Sequence, residues 1–132
     1  MEQTPTRKDG QIALKVLVTP HDLNHHGTMF GGAILSYFDI AGSNFAMAQV
    51  KGKVVQAGVK DAAFMQAIYE NECLTFFARV LKIGRTSITI DAEAWRNRPA
   101  SETPYEEDLV ARSEITYVKV DKSLRPTPIV QG

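Results

Sequence analysis

The hydrophobic positions of this chain form one long apolar segment between stretches that alternate as β-strands do. The alternation is clearest over residues 86–95, where Ile88 and Ile90 share one face and Thr89 lies on the other. Period-two alternation is typical of a strand with one buried face. We predict five strands in all, over residues 11–18, 54–61, 73–82, 86–95 and 109–120.

The long apolar segment, residues 33–50, predicts a helix because it exceeds a strand in length and is rich in alanine. A predicted loop over residues 19–32 precedes it and includes Gly31 and Gly32. Apolar residues cover most of the helix circumference, which is typical of a buried helix. We therefore predict an α+β fold, with a curved antiparallel sheet of about five strands wrapped around the helix. One such sheet leaves apolar helix surface uncovered, and this predicts a partner subunit.

Composition narrows the function classes. The 132 residues include 15 Lys plus Arg and 15 Asp plus Glu, so the net charge is zero and offers no basic field for nucleic acid. The length suits one domain, predicted at residues 11–132 after a flexible tail at 1–10. The polar start does not resemble a signal peptide, and no run reaches the roughly 20 apolar residues of a membrane span. We expect a cytoplasmic protein that binds neither nucleic acid nor membrane.

Metal sites are not expected. The single cysteine, Cys73, excludes an internal disulfide and a cysteine-based zinc site. The three histidines, His21, His25 and His26, do not have the spacing of a common closed zinc site, and no clear acidic partner completes one. We interpret them as loop residues near a cleft.

One carboxylate stands out in the apolar helix. Asp39 is the only charged side chain between Gly27 and Val50. Burial of an unpaired carboxylate costs several kcal/mol, so we expect its pKa to rise unless hydrogen bonds stabilise the charged form. Ser36, Asp39 and Ser43 share one stripe of the helix, and such a polar seam is typical of a site in a dry cleft. The alternative is a carboxylate that is exposed or structurally paired.

The glycines before the helix suggest a second half of the site. Free amides in a first helical turn, at the positive end of the dipole, suit a developing oxyanion. The alternative is a flexible turn that allows close packing. Gly31 and Asp39 are eight residues apart, or about 12 Å along a helix, so one helix does not bring both to the same carbonyl. Helices of two facing subunits could do so, which predicts an active site at a dimer interface.

The run from Asn24 to Asp39, NHHGTMFGGAILSYFD, resembles the signature of hotdog-fold acyl-CoA thioesterases, in particular the YciA-like and brain-type acyl-CoA hydrolases. The shared pattern is Asn, two residues, Gly, then Phe-Gly-Gly, then an Asp on the central helix. The hairpin at residues 82–87 and the ending at 117–121 match as well. Residues 64–72 depart from the family pattern, because they lack its Pro and its Gly-Asp turn.

The resemblance implies a hotdog fold, hydrolysis of acyl-CoA thioesters, and homodimers with composite sites that often assemble as a trimer of dimers. It implies Asp39 as the catalytic carboxylate, either general base or nucleophile, and Asn24 as the loop residue that places water or the carbonyl, from opposite subunits. The Gly31 and Gly32 amides would supply the oxyanion hole. No cofactor is expected, since coenzyme A is part of the substrate and product.

The phosphates of coenzyme A require cations and hydrogen-bond donors. We expect these from Gly58 in the second predicted strand, from Lys82, Gly84, Arg85, Thr86 and Ser87 at the hairpin, and from Lys122 and Arg125 after the last strand. The alternative is a solvated hairpin tip. Two other functions stay open: a non-hydrolytic acyl-CoA binding or sensing module, and a hotdog dehydratase of hydroxyacyl thioesters, which usually pairs a histidine with a carboxylate.

Overall fold

One long helix packs against a five-stranded antiparallel sheet, which confirms the predicted α+β hotdog architecture. The computed structural model describes residues 10–98 and 107–130. The elements are β1 (Gln11–Leu17), a short 3-10 helix (Pro20–Asp22), α1 (Gly31–Val50), β2 (Lys53–Phe64), β3 (Cys73–Ile83), β4 (Ser87–Asn97) and β5 (Glu107–Val120). The strands pair in the order β1-β3-β4-β5-β2. The predicted tail, apart from Gly10, and residues 99–106 of the loop before β5 lie outside the described residues.

The start of the helix differs from the prediction. Gly31 and Gly32 belong to the first turn of α1, so the expectation that both lie in the preceding loop was wrong. Phe30 is the N-cap, with extended backbone (φ −82°, ψ 153°). The amides in the first turn of a helix have no intrahelical acceptor. The amides of Gly31 and Gly32 therefore lie at the N-terminus of α1 without a partner inside the helix.

Strand β2 is longer than predicted because it accommodates a bulge. Its register with β5 shifts between Lys60 and Ala63, and Asp61 adopts a left-handed backbone (φ 55°). A bulge of this kind lets a strand continue with a bend. The strand therefore runs on to Phe64, three residues beyond the predicted end.

The core lies between one face of α1 and the inner face of the sheet. Ile34, Phe38, Ala41 and Phe45 recur every three or four residues and are buried. Phe38 meets Phe76 of β3 edge to face, with ring centroids 5.1 Å apart. The remaining inward positions come from alternate residues of the strands, among them Ala78, Ile88, Ile90, Ala92, Ala94, Ala111, Ile115 and Tyr117.

Apolar surface remains on the other side of the helix. Leu35, Ile40 and Met47 are 39–47% exposed in the single chain. Strand β2 lies at the edge of the sheet and is exposed along nearly all of its length. This helix face and this edge form the surface on which the predicted partner subunit would pack. Among the described residues, no helix combines the length and hydropathy needed to cross a membrane.

Candidate active site

Asp39 lies in a cleft of about 360 Å³ between α1, β2 and β5. Its side chain is half-buried. The walls are mostly apolar, and the cleft is lined by Gly32, Leu35, Ser36, Phe38, Asp39, Gln56, Val59, Ala62, Ser113 and Ile115. The polar seam predicted from helix spacing is present, since Ser36 and Asp39 both line the cleft and Ser43 contacts Asp39.

One oxygen of the Asp39 carboxylate is held by three donors. Tyr117 Oη and Gln56 Nε2 each donate to Oδ1 at 2.9 Å, and Ser43 Oγ donates at 3.3 Å. Among the described residues, Oδ2 accepts no hydrogen bond. The arrangement fixes the orientation of the carboxylate and leaves Oδ2 able to accept a proton.

Tyr117 is the buried member of this group. It has no exposed surface, and its hydroxyl also lies 3.1 Å from the Asp39 main-chain oxygen. Burial is the largest effect and raises the pKa of Tyr117 above its ordinary value; the hydrogen bond with Ser43 lowers it, the hydrogen bond and charge of Asp39 raise it, and Gln56 lowers it slightly. The phenol therefore remains a hydrogen-bond donor at neutral pH.

The approach of Tyr117 to the helix depends on Gly42. A Cβ at this position would overlap Tyr117 Oη and would lie 3.1 Å from Ile90 Cδ1. The helix comes this close to the sheet only because residue 42 lacks a side chain. Gly42 thus allows the Tyr117–Asp39 contact.

The helix N-terminus borders two cavities. Gly32 lines the Asp39 cleft, whereas Gly31 lines a neighbouring cavity of about 110 Å³ together with Phe64 and Ile68. In the first turn, hydrogen bonds to Phe30 O are made by the amides of Ala33 and Ile34. Among the described residues, the Gly31 and Gly32 amides have no acceptor. They are therefore able to donate to a ligand.

Asn24 organises its own loop. Its Oδ1 accepts from the amides of His26 and Thr28 at 2.9 and 3.2 Å, and its Nδ2 donates to Thr28 Oγ1 at 3.1 Å. The loop is attached to the helix by Asp22, which accepts a 2.8 Å hydrogen bond from Tyr37 Oη. Asn24 does not line the Asp39 cleft of its own chain.

The predicted phosphate-binding cations are exposed and lie in two adjoining segments. Arg85 is at the β3–β4 hairpin, and its main-chain oxygen accepts from the Ile129 amide at 2.8 Å, which places the chain end beside the hairpin. Within the described ranges, none of the four cations, Lys82, Arg85, Lys122 and Arg125, forms an ion pair. None of the predicted hairpin and chain-end residues, nor Gly58 of β2, lines the Asp39 cleft.

Two of the three histidines, His25 and His26, lie next to each other in the loop before α1. The rings of His25 and His26 lie 3.9 Å apart. Over residues 10–98 and 107–130, no group of three or more His, Cys, Asp or Glu side chains is arranged to hold a metal.

The segment that departs from the family pattern is held by a buried arginine of β4. Arg96, 1% exposed, donates to Ala67 O at 2.6 Å and to Gln66 Oε1. Its charge is balanced by Asp108 at 2.8 Å and Glu72 at 3.5 Å. These contacts join residues 66, 67 and 72 to strands β4 and β5.

Three polar side chains of the sheet at this site were not predicted: Gln56 and Ser113, which line the cleft, and Tyr117, which donates to Asp39. Tyr117 and Ser113 lie on the inward face of β5, and strand alternation in the sequence indicates that face. Which inward residues lie opposite Asp39 depends on strand order and register, which hydrophobic periodicity does not encode.

Comparisons with known proteins agree with this fold. A sequence profile of the thioesterase superfamily matches residues 26–103. The acyl-CoA thioester hydrolase YciA of Salmonella typhimurium is 34% identical, and the match covers 100% of this chain and 98% of that protein. YciA of Escherichia coli K12 is 30% identical, with 96% of each chain covered.

Solved structures give the same result. A hexameric thioesterase from Yersinia pestis has a TM-score of 0.89 and 30% identity, with 97% of this chain and 100% of that chain covered. An acyl-CoA hydrolase from Staphylococcus aureus, solved with butyryl coenzyme A and coenzyme A, has a TM-score of 0.80 and 28% identity, covering 88% of this chain and 69% of that one.

The Staphylococcus aureus hydrolase has been solved with an asparagine, an aspartate or a threonine replaced by alanine. The asparagine precedes the aspartate by fifteen residues, as Asn24 precedes Asp39. The threonine follows the aspartate by seventeen residues, the spacing of Gln56 from Asp39. The three side chains therefore have the same spacing as Asn24, Asp39 and Gln56.

Proposed function

This chain belongs to the thioesterase superfamily, and we propose that it hydrolyses acyl-CoA thioesters to a free carboxylic acid and coenzyme A. The observation that carries the proposal is the Asp39 carboxylate, oriented through Oδ1 by three donors and open at Oδ2 in a mostly apolar cleft. A fixed carboxylate beside space for an acyl group suits activation of water next to a thioester.

In the proposed reaction Asp39 acts as general base. Oδ2 accepts a proton from water while the water oxygen bonds to the thioester carbonyl carbon. The C–S bond then breaks, the electron pair leaves with sulfur, and the proton passes from Asp39 to the thiolate. Asp39 is thereby restored, and the reaction consumes only acyl-CoA and water.

Direct attack by Asp39 is the alternative, with an anhydride that water then opens. A single turnover in ¹⁸O-labelled water distinguishes the two routes. The base mechanism places the label only in the carboxylic acid product. The anhydride route leaves label in the Asp39 carboxylate when water attacks its carbonyl carbon.

The oxyanion of the tetrahedral intermediate needs donors that face the carbonyl. We propose that the Gly31 and Gly32 amides of one subunit, with Asn24 of its loop, act at the Asp39 cleft of a partner subunit. The free amides support this arrangement, as do the positions of Asn24 and Gly31 outside the Asp39 cleft of their own chain, whereas Gly32 lines that cleft as well. The uncovered apolar helix face and the edge strand β2 support a homodimer as the unit. The hexameric Yersinia pestis relative supports a trimer of such dimers.

The coenzyme A phosphates would bind to the exposed cations near the hairpin. The side chains of Lys82, Arg85, Lys122 and Arg125 are exposed and have no ion pair within the described ranges. A cation without a counter-ion loses no existing pair when it binds phosphate. The hairpin hydroxyls and amides at 84–87 would complete the contact, and the open backbone at Gly58 would leave room for the ligand.

The test is release of free thiol from acyl-CoAs of graded chain length. We expect turnover by the native protein, and a fall of about a hundredfold or more in kcat for Asp39→Asn, which retains the shape but not the basicity. Asp61→Asn is the matched control, because Asp61 is an exposed carboxylate outside the cleft, with a backbone that asparagine tolerates.

Three outcomes separate the candidate functions. Thiol release supports hydrolysis. Tight binding of acyl-CoA without turnover would identify a binding module. Loss of water from a hydroxyacyl-CoA without thiol release would identify a dehydratase. Full turnover by Asp39→Asn would remove Asp39 from the mechanism.

A further inference from the structure

A leucine in the turn after β5 has a backbone conformation that leucine rarely adopts. Leu124 has a φ of 63°, in the left-handed region. This region is sterically unfavourable for a bulky side chain and suits glycine or asparagine. The side chain of Leu124 is also 57% exposed and is not part of the core. Leucine here therefore costs stability without adding to the core, and such strain is found most often at functional sites.

The turn that carries Leu124 is held in one conformation by Asp121. The Asp121 carboxylate oxygen Oδ1 accepts from the amides of Ser123 and Arg125 at 2.8 and 3.1 Å. The main-chain oxygen of Asp121 accepts from the Leu124 amide at 3.0 Å, and its amide donates to Arg125 O at 2.9 Å. These hydrogen bonds fix the turn with Leu124 facing solvent.

Exposed cations flank Leu124 in the sequence and in the fold. Lys122 and Arg125 belong to the same turn, and within the described ranges neither forms an ion pair. The chain then reaches the β3–β4 hairpin, where the Ile129 amide donates to Arg85 O at 2.8 Å. This surface thus combines an exposed apolar side chain with exposed cations. Such a combination suits a ligand that carries phosphates beside an apolar group.

The turn lies close enough to the Asp39 carboxylate for one substrate molecule to contact both. Tyr117, which donates to Asp39 Oδ1, precedes the end of β5 by three residues, or about 10 Å at the rise of a strand. The turn begins at the next residue, Asp121. In coenzyme A an extended pantetheine arm, longer than this span, joins the thiol to the nucleotide. A thioester at Asp39 can therefore place its nucleotide at the turn.

We propose that Leu124 contacts the adenine base of coenzyme A, with the phosphates of the same nucleotide at Lys122 and Arg125. The inference rests on the proposed function and names the part of the substrate that this turn binds. The faces of adenine are largely apolar, so an aliphatic side chain suits them, whereas the phosphates require the cations. Contact with the base removes the exposed leucine from water, and this gain offsets the strain of the left-handed backbone.

The experiment compares kcat/KM for an acyl-CoA with that for the matching S-acyl-4′-phosphopantetheine, which has the same thioester but lacks the adenine nucleotide. Asparagine tolerates the left-handed backbone and removes the apolar surface. Leu124→Asn should therefore lower kcat/KM for the acyl-CoA by about fivefold, the effect of covering about half of a leucine side chain. It should leave kcat/KM for the shorter thioester unchanged.

Two further variants serve as controls. Leu124→Phe retains an apolar surface and adds a ring that can stack on a base, so its kcat/KM for the acyl-CoA should equal or exceed the native value. Leu17→Asn is the matched control, because Leu17 is 53% exposed and lies opposite Cys73, at the end of the sheet remote from the hairpin. It should leave the ratio between the two substrates unchanged.

Stability, assembly and binding separate the adenine contact from a structural role. Since asparagine suits the left-handed backbone, the Tm of Leu124→Asn should be unchanged or higher, and its oligomeric state in sedimentation should be that of the native protein. Calorimetric titration with coenzyme A, which requires no turnover, should give a Kd about fivefold weaker in Leu124→Asn.

The outcomes distinguish this inference from the proposed function. A fall in Tm, a change of oligomeric state, or equal effects on the two thioesters would overturn the adenine contact while leaving hydrolysis intact. A native protein that binds coenzyme A but releases no thiol from any acyl-CoA would overturn the proposed function alone. In that case a Kd unchanged by Leu124→Asn would overturn the contact as well, and a weaker Kd would support it.

Discussion

At the scale of single residues, the site depends on how one carboxylate is oriented. Tyr117, Gln56 and Ser43 all donate to Asp39 Oδ1, but they differ in burial. Tyr117 is fully buried, whereas the Gln56 contact is exposed to solvent. A hydrogen bond shielded from water is stronger and more rigid, so Tyr117 should contribute most to the orientation.

Tyr117→Phe should therefore impair the reaction more than Gln56→Ala. The variant retains the ring and removes one charge-assisted hydrogen bond, which is worth about 1.5–3 kcal/mol. We expect kcat to fall by at least tenfold with little change in KM, since the contact orients Asp39 and not the substrate. Thiol-release kinetics provide the measurement, and an unchanged kcat would contradict the assigned role of Tyr117.

The same tyrosine predicts a pH dependence of stability. Its pKa is raised in the folded protein above the ordinary value of 10.0, chiefly by burial. Above pH 10 the unfolded chain therefore releases a proton that the folded chain retains, and stability falls as pH rises. Urea unfolding at increasing alkaline pH should show this loss, and it should be smaller in Tyr117→Phe. A loss of equal size in the variant would exclude Tyr117 as its source.

At the scale of elements, the site requires close contact between the helix and the sheet. Helix α1 carries Asp39, strand β2 carries Gln56, and strand β5 carries Tyr117. The contact distance is set at Gly42, where a Cβ would overlap the Tyr117 hydroxyl. The geometry of the carboxylate is thus a property of how α1 packs on β5.

Gly42→Ala tests this packing. We expect the added methyl to displace Tyr117 from Asp39, lowering kcat by about tenfold and lowering the Tm by a few degrees, as overpacked cores do. Gly52→Ala is the control, since its Cβ would meet only the flexible end of Lys119. Native kcat in Gly42→Ala would show that residue 42 does not control the site.

A proline substitution at residue 31 tests the proposed role of the first-turn amides. Gly31 is the first helical residue, where proline is well tolerated, and Phe30 before it already has the extended backbone that proline requires. Gly31→Pro removes the amide donor, and loss of one oxyanion donor lowers kcat by about a hundredfold. Gly31→Ala retains the amide, and its Cβ meets only Phe64 at 3.8 Å, so it should lose far less activity. Equal kinetics in the two variants would exclude this amide from the oxyanion hole.

The sequence predicted the elements more reliably than their contacts. All five strands were predicted, most clearly β1 and β4, where period-two alternation is regular, and the lone charge of the helix indicated Asp39 as a candidate site residue. The predicted ends of the elements were less accurate. Strand β2 continues past the bulge at Asp61 to Phe64, and the helix begins at Gly31 and not at Ala33. Gln56 and Tyr117 were not predicted because the contacts with Asp39 arise from strand order. The role of Arg96 was missed for the same reason, since it joins segments about 30 residues apart.

At the scale of the whole molecule, the proposed active site requires residues from two chains. Asp39 and Gly32 line the same cleft, but Asn24 does not line it, and Gly31 borders the neighbouring cavity. The apolar helix face and the edge of β2 are uncovered in the same chain. A second copy that covers this surface would shield the cleft from water and bring the missing donors to it.

The most direct test of this composite site mixes two inactive variants, Asn24→Ala and Asp39→Ala. If Asn24 and Asp39 act from opposite subunits, random exchange of equal amounts restores about one quarter of the sites, because half of the dimers are mixed and each has one intact site. We therefore expect thiol release to rise to about a quarter of the native rate after the mixture is unfolded and refolded together. A mixture that stays as inactive as its components would contradict a site shared between two chains.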